Sequence, residues 1–189
     1  LNGGFTCPNI DGTKSVGGCT YCSFLGSGDF AGNPEKSIHE QFSEVKAQLH
    51  KKWHDAKYIA YFQANTNTYA PVSVLREKFE PVLNEKNVVG LSIATRADCL
   101  PNDVLDYLSE LNGKTNLFVE LGLQSVSDET GRRINRAHTY EEFLQGYNAL
   151  RERGIKTCVH LIVGLPGENR DMILKSALTV ARLHPHSIK

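Results

Sequence analysis

The chain has 189 residues, 40% hydrophobic and 22% charged, and its 21 Lys+Arg balance its 21 Asp+Glu to a net charge of zero. That suits one globular domain with its own core and excludes a bulk-basic nucleic-acid or membrane-surface binder. No run of ~18 apolar residues offers a membrane span, and no secretory leader is visible. The five cysteines, Cys7, Cys19, Cys22, Cys99 and Cys158, are odd in number. Without a secretory signal they argue against a disulfide framework and for a reducing cytoplasm.

The elements alternate along the chain. Ile38, Phe42, Val45 and Leu49 recur at helical spacing after Asn33-Pro34, which reads as the helix start. Lys57–Phe62 reads as a buried strand, and Pro71 opens a helix with Val72, Leu75 and Phe79. Val88–Ala94 is the next strand, and Pro101 opens a helix with Leu105, Leu108 and Leu111. Asn116–Leu121 follows as a strand. Thr139 with Glu142 three residues on predicts a capping box, and Gly154 a helix stop. Lys156–Val163 is the fourth strand and Asn169–Leu183 the last helix. Strand starts ~30–40 residues apart are the size of βα units. Periodicity does not choose between an open sheet and a barrel, but in both, ligands gather at the carboxyl ends of the strands. The chain starts at Leu1 and ends at Ser187-Ile188-Lys189, a strand just beginning, so it reads as a fragment.

The cysteine pattern carries the chemistry. Cys19-x-x-Cys22 is close enough to share one metal or cluster, and Gly12, Gly17 and Gly18 let the intervening loop bend so that Cys7 joins them. Three thiolates leave a four-position site open, as catalysis requires, whereas an electron-carrying [4Fe–4S] cluster would normally take four cysteines. The competing reading is a zinc-stabilised binding module with a Cys3His site completed by His39 or another histidine. A thioredoxin-like pair would leave Cys7 idle. Cys99 and Cys158 read as small buried core residues.

Several further motifs lie near strand ends: Tyr61-Phe62-Gln63-Ala64-Asn65-Thr66-Asn67-Thr68-Tyr69, Ala94-Thr95-Arg96-Ala97-Asp98, Glu120-Leu121-Gly122-Leu123-Gln124-Ser125, Asn135-Arg136-Ala137-His138 and Val159-His160-Leu161-Ile162-Val163-Gly164-Leu165-Pro166. With the cysteines, they resemble the radical S-adenosylmethionine (SAM) superfamily, in the branch of the Elongator catalytic subunit and oxygen-independent coproporphyrinogen oxidase. The resemblance covers essentially the whole chain. It implies an α/β fold, a partial (β/α)6 radical SAM barrel truncated at both ends, with residues 1–189 forming one core domain.

It also implies a [4Fe–4S] cluster on Cys7, Cys19 and Cys22, with SAM chelating the fourth iron and being cleaved reductively to a 5′-deoxyadenosyl radical. Eleven residues separate Cys7 from Cys19, where three are typical. The SAM contacts implied are Ala64, Asn65 and Thr66 through their backbone, Gln124 at the ribose, Arg136 at the carboxylate, and His160 and Ile162 at the ribose and adenine. Ala64 and Asn65 stand where glycines are usual, and Ala94 stands at a Glu position. Arg96 is open between SAM, substrate and surface roles, and Glu120 is costly at the end of an apolar run unless hydrogen-bonded. By itself, a lone strand histidine such as His160 is more often a satisfied core residue. No catalytic acid or base is assigned. The implied partners are a reduced flavodoxin or ferredoxin and, from the Elongator likeness, tRNA modified at the wobble uridine; no membrane is expected.

Overall fold

The computed structural model describes residues 1–23 and 26–189. Five strands form one parallel sheet: β1 Tyr58–Phe62, β2 Val88–Thr95, β3 Asn116–Gln124, β4 Lys156–Leu161 and β5 Ser187–Ile188. Their spatial order is their sequence order, β1-β2-β3-β4-β5. A doubly wound sheet reverses its strand order at a switch point. This one does not, so its right-handed crossovers all place their helices on the same side, as in a barrel wall. On the free side of β1, the Leu1 amino group donates to Tyr61 O, Gln63 N to Leu1 O and Thr66 N to Thr6 O. The first residues thus extend the wall without a named strand.

The helices are α1 Ile38–His50, α2 Val72–Leu83, α3 Asn102–Lys114, α4 Asp128–Arg133, α5 Tyr140–Glu152 and α6 Arg170–Ala181. The expected Thr139–Glu142 capping box starts α5, and Gly154, at φ +65°, follows its end. The start of α1 lies later than Asn33-Pro34. Asn33 instead turns the chain by accepting from Glu35 N, and a second capping box, Ser37 with Glu40, sets the first turn.

Strand alternation sorts the sheet into two faces. Phe62, Leu91, Ile93, Leu117, Val119, Leu121 and Val159 are fully buried and pack into one core with Leu75, Phe79, Leu108, Leu111, Phe143 and Tyr147 of the helices. Each such side chain contributes roughly 1.5–3 kcal/mol of burial. The alternate positions, Tyr61, Ser92, Ala94, Glu120, Gly122, Cys158 and His160, point the other way. Small and polar residues therefore line the inner wall, and that wall carries the site.

Candidate functional site

The carboxyl ends of β1–β4 meet the cysteine segment around a cavity of about 250 Å3. Cys7, Cys19, Cys22, Tyr61, Asn65, Thr66, Glu120, Gln124, Arg136 and His160 all line it. Of the residues expected to contact SAM, Ala64 is fully buried and, like Ile162, lies outside this lining.

The long first cysteine gap closes on itself. Gly18 N donates to Asn9 O at 2.9 Å, and Asp11 bridges to Val16 within the loop. Residues 10–17, eight of the eleven in the gap, are looped out, leaving only Pro8, Asn9 and Gly18 along the path between Cys7 and Cys19. Asn135 pins this closure. Its Nδ2 donates to Gly18 O at 2.8 Å and to Val16 O at 3.0 Å, and Ser15 Oγ donates to its Oδ1. Fully buried Asn9 reaches back, donating from Nδ2 to Asn135 O and, at 3.3 Å, to Cys19 Sγ. From within the loop, Lys14 pairs with Asp98 at 2.8 Å and with Glu142 at 3.0 Å.

The thiols are electrostatically unequal. A hydrogen bond from Cys22 and the charge of Arg136, whose Nη1 lies 3.8 Å away, pull Cys19 down to about 4 in spite of burial. Cys22 is pushed up by donating to Cys19 and by burial, and accepts from Ser27 Oγ at 3.4 Å. Among the described residues, Glu120, Cys158 and His160 are the group of three candidate ligand atoms lying mutually within 4.8 Å. Cys7, Cys19 and Cys22 do not form such a group, although Cys19 and Cys22 are within hydrogen-bond reach. A single tetrahedral zinc with bonds of ~2.3 Å would draw its thiolates closer than ~4 Å together. His39, the histidine named for a zinc site, pairs with Glu85 instead. The Cys3His reading finds no support in this geometry.

Arg136 is buried and donates to Gly122 O, while its Nε has no partner. An unpaired guanidinium N–H buried beside the cavity fits an incoming carboxylate. Gly122 makes the approach possible: a Cβ there would lie 2.8 Å from Gln124 Nε2 and 3.1 Å from Arg136 Nη2. Gln124 itself sits at φ +74°, where the β3–β4 register shifts, a strained conformation of the kind that gathers at functional sites. Asn65, standing where a glycine is usual, adopts φ +61° and donates from Nδ2 to Phe5 O, and asparagine tolerates that region better than most residues. The 63–69 segment is no surface turn, because Ala64, Thr66, Asn67 and Thr68 are all buried.

Arg96 is neither a surface cation nor a free ligand-binding group. It is 2% exposed, forks onto Asp98 through Nε and Nη2, both at 2.9 Å, and donates from Nη1 to Arg136 O at 2.9 Å. It therefore fixes the backbone that carries Arg136. Although burial opposes it, Arg96 and Lys14 hold the Asp98 carboxyl far below its usual range. The costly carboxylate of Glu120 is satisfied: it accepts from Ser92 Oγ at 2.7 Å and faces His160 Nε2 at 2.7 Å and Lys189 Nζ at 3.5 Å. Against burial, these neighbours hold it down at about 2. The roles of Asn9 and Ser92 had no signal in the sequence; that of Asn135 was signalled only by its place beside Arg136.

A 59% identical relative, YtqA of Bacillus subtilis strain 168, matches over the full chain, and YhcC of Escherichia coli K12 is 40% identical over the same span. The chain covers 59% and 63% of their lengths. A segment of 88 residues, 47% of this chain and 16% of the relative, is 33% identical to a tRNA uridine(34) acetyltransferase of Methanocaldococcus jannaschii. The solved structure of Methanocaldococcus infernus Elp3 with an N-terminal deletion superposes with a TM-score of 0.59 at 20% identity, covering 75% of this chain and 39% of that one. That likeness shows a shared fold. The model of the radical SAM superfamily matches residues 12–180, and the chain belongs to that superfamily.

Proposed function

We propose that the chain is the radical-generating core of an enzyme that modifies tRNA uridine, with a [4Fe–4S] cluster on Cys7, Cys19 and Cys22 and SAM in the adjoining cavity. The observation that carries the cofactor reading is the convergence of three thiols and a buried, partly unpaired Arg136 on one cavity at the strand ends. When bound, the cluster and SAM supply the electron and the sulfonium whose reductive cleavage yields methionine and a 5′-deoxyadenosyl radical.

The chain's own residues prepare that chemistry. The hydrogen bond from Cys22 and the charge of Arg136 draw Cys19 toward the thiolate, the ligating form. Asn9 donates to its sulfur, a contact that tunes a thiolate ligand. Arg136 Nε is the donor for the SAM carboxylate, held by Arg96 from behind. Gln124 and His160 on the inner wall, with the backbone at Asn65 and Thr66, are the further contacts proposed for SAM. A reduced flavodoxin or ferredoxin would deliver the electron. The tRNA substrate rests on the partial likeness to a tRNA uridine(34)-acting relative. This core carries no net charge, so RNA affinity is expected to come from basic surface outside it.

The test is anaerobic reconstitution of the full-length protein. It should bind about four irons and four sulfides, as this cluster type requires, and release 5′-deoxyadenosine from SAM under reduction. Both should be lost in Cys7→Ala, Cys19→Ala and Cys22→Ala. A colourless protein holding one zinc on these cysteines would overturn the cofactor reading. For the substrate, nucleoside digests of tRNA from cells lacking the gene should lose one wobble-uridine modification and accumulate its precursor. Identical digests would refute the tRNA assignment alone.

A further inference from the structure

We propose that Glu120, Cys158 and His160 form a second metal site, distinct from the cluster cysteines, that takes a zinc-type divalent cation. The three residues come from neighbouring strands. Glu120 of β3 lies directly across from Cys158 of β4, and His160, two residues further on, projects from the same inner face. One ligand atom from each lies within 4.8 Å of the other two. The residues were read separately in the sequence, as a structural carboxylate, a core cysteine and a ribose contact or core histidine. The sheet assembles them. Cys158 is buried, yet it lies outside the apolar cluster packed beneath the helices.

The donor set decides the kind of ion. A thiolate, an imidazole and a carboxylate suit a borderline-soft cation such as zinc, whereas magnesium and calcium prefer all-oxygen sites. Three protein ligands leave one tetrahedral position open. Glu120 and His160 both line the cavity, so that position faces it. The carboxylate is already oriented: Ser92 Oγ holds Oε1 at 2.7 Å, leaving Oε2 turned toward His160 Nε2. Such outer hydrogen bonds are what fix a metal-ligating carboxylate.

Glu120 is held by His160 Nε2 at 2.7 Å and by Lys189 Nζ at 3.5 Å. A cation entering between Glu120 and His160 would replace both interactions. Lys189 is 58% exposed at its side chain, so it can swing into water at little cost. The Cys158 thiol proton would pass to solvent as the metal–sulfur bond forms. His160 would then serve the cation rather than the ribose of SAM, so this site refines the cavity proposed above without depending on it.

The test counts zinc and iron together in the full-length, cluster-reconstituted protein after dialysis against zinc-containing buffer. Wild type should retain about one zinc per chain beyond the level of Cys158→Ala and His160→Ala, the stoichiometry of a single tetrahedral site, with iron equal in all three. Cobalt added in place of zinc should give a thiolate charge-transfer absorption that Cys158→Ala lacks. Equal zinc in wild type and both variants, or a cobalt spectrum unchanged by Cys158→Ala, would overturn the site. The comparison holds whatever the iron content, because the variants leave Cys7, Cys19 and Cys22 in place. Failure of the cluster and failure of this site are thus read separately.

Discussion

Replacing Asp98 by Asn should be among the most destabilising single changes around the site. The Asp98 side chain is 4% exposed and accepts from the Arg96 fork at 2.9 Å on each oxygen, while Lys14 approaches at 2.8 Å. Arg96 is 3% exposed at its side chain, so the substitution leaves a buried guanidinium without its counter-charge. At ~4 Å and an effective dielectric of about 20, such a pair attracts by ~4 kcal/mol. Removing one partner of a buried pair costs about 3–5 kcal/mol. The amide keeps one acceptor and the shape, so about 3 kcal/mol is expected at neutral pH. Equilibrium urea unfolding under anaerobic, reducing conditions measures it. Lys14→Met should cost no more than about 1 kcal/mol, because Lys14 is 31% exposed. The pH dependence has a definite sign. A carboxyl depressed by folding stabilises fully above its unfolded pKa of about 3.8, and that contribution is lost as pH falls toward the folded value. The gap between wild type and Asp98→Asn should therefore narrow in acid. A loss below about 1 kcal/mol, or one equal to that of Lys14→Met, would refute the view that this pair anchors the Arg136 backbone.

Arg136→Ala should weaken SAM binding by roughly 1.5–3 kcal/mol, the scale of a charge-assisted hydrogen bond; unchanged affinity by calorimetry in a fully clustered variant would remove Arg136 from the SAM site. Burial, followed by the charge of Arg136, lowers His138 to about 4, so the imidazole is neutral in the fold and its contribution is complete above the unfolded value of about 6.5. As pH falls from about 6.5 toward 4, up to ~3 kcal/mol should be lost, and His138→Gln should flatten unfolding curves across that window; equal slopes would refute it.

The fold was largely legible because its signals are local. Apolar β-branched runs marked β1–β4, and Thr139 with Glu142 marked the start of α5, since a capping box is complete within four residues. The errors were also local. Asn33-Pro34 resembles a helix start, but Asn33 uses its side chain for a turn, and Ser37-x-x-Glu40 supplies the cap. Strand β3 runs on to Gln124 because a register shift lets Gln124 pair with Leu161 after the apolar run has ended. Residue type alone could not decide Arg96, since a guanidinium reads the same on a surface or in a core. Its partner, Asp98, stood two residues away, and the carbonyl it also holds lies forty residues on.

The cysteine gap shows where reading along the chain gives out. A motif spacing measures contour length, whereas ligation depends on where the sulfurs lie in space. The family's usual three-residue gap and the eleven residues found here become equivalent once Asn9 O accepts from Gly18 N, because residues 10–17 then lie off the path. Closing such a loop costs entropy that grows only slowly with its length, so eight extra residues are a modest burden if something holds the neck. Asn135 holds it, from a segment more than a hundred residues away in the chain. Asn135 stands next to Arg136, which reaches Cys19 and the cavity. One short turn after α4 therefore closes the cysteine loop with its first residue and presents a guanidinium to the site with its second. Cluster geometry and SAM recognition are for that reason expected to be coupled, and a change at Asn135 should disturb both.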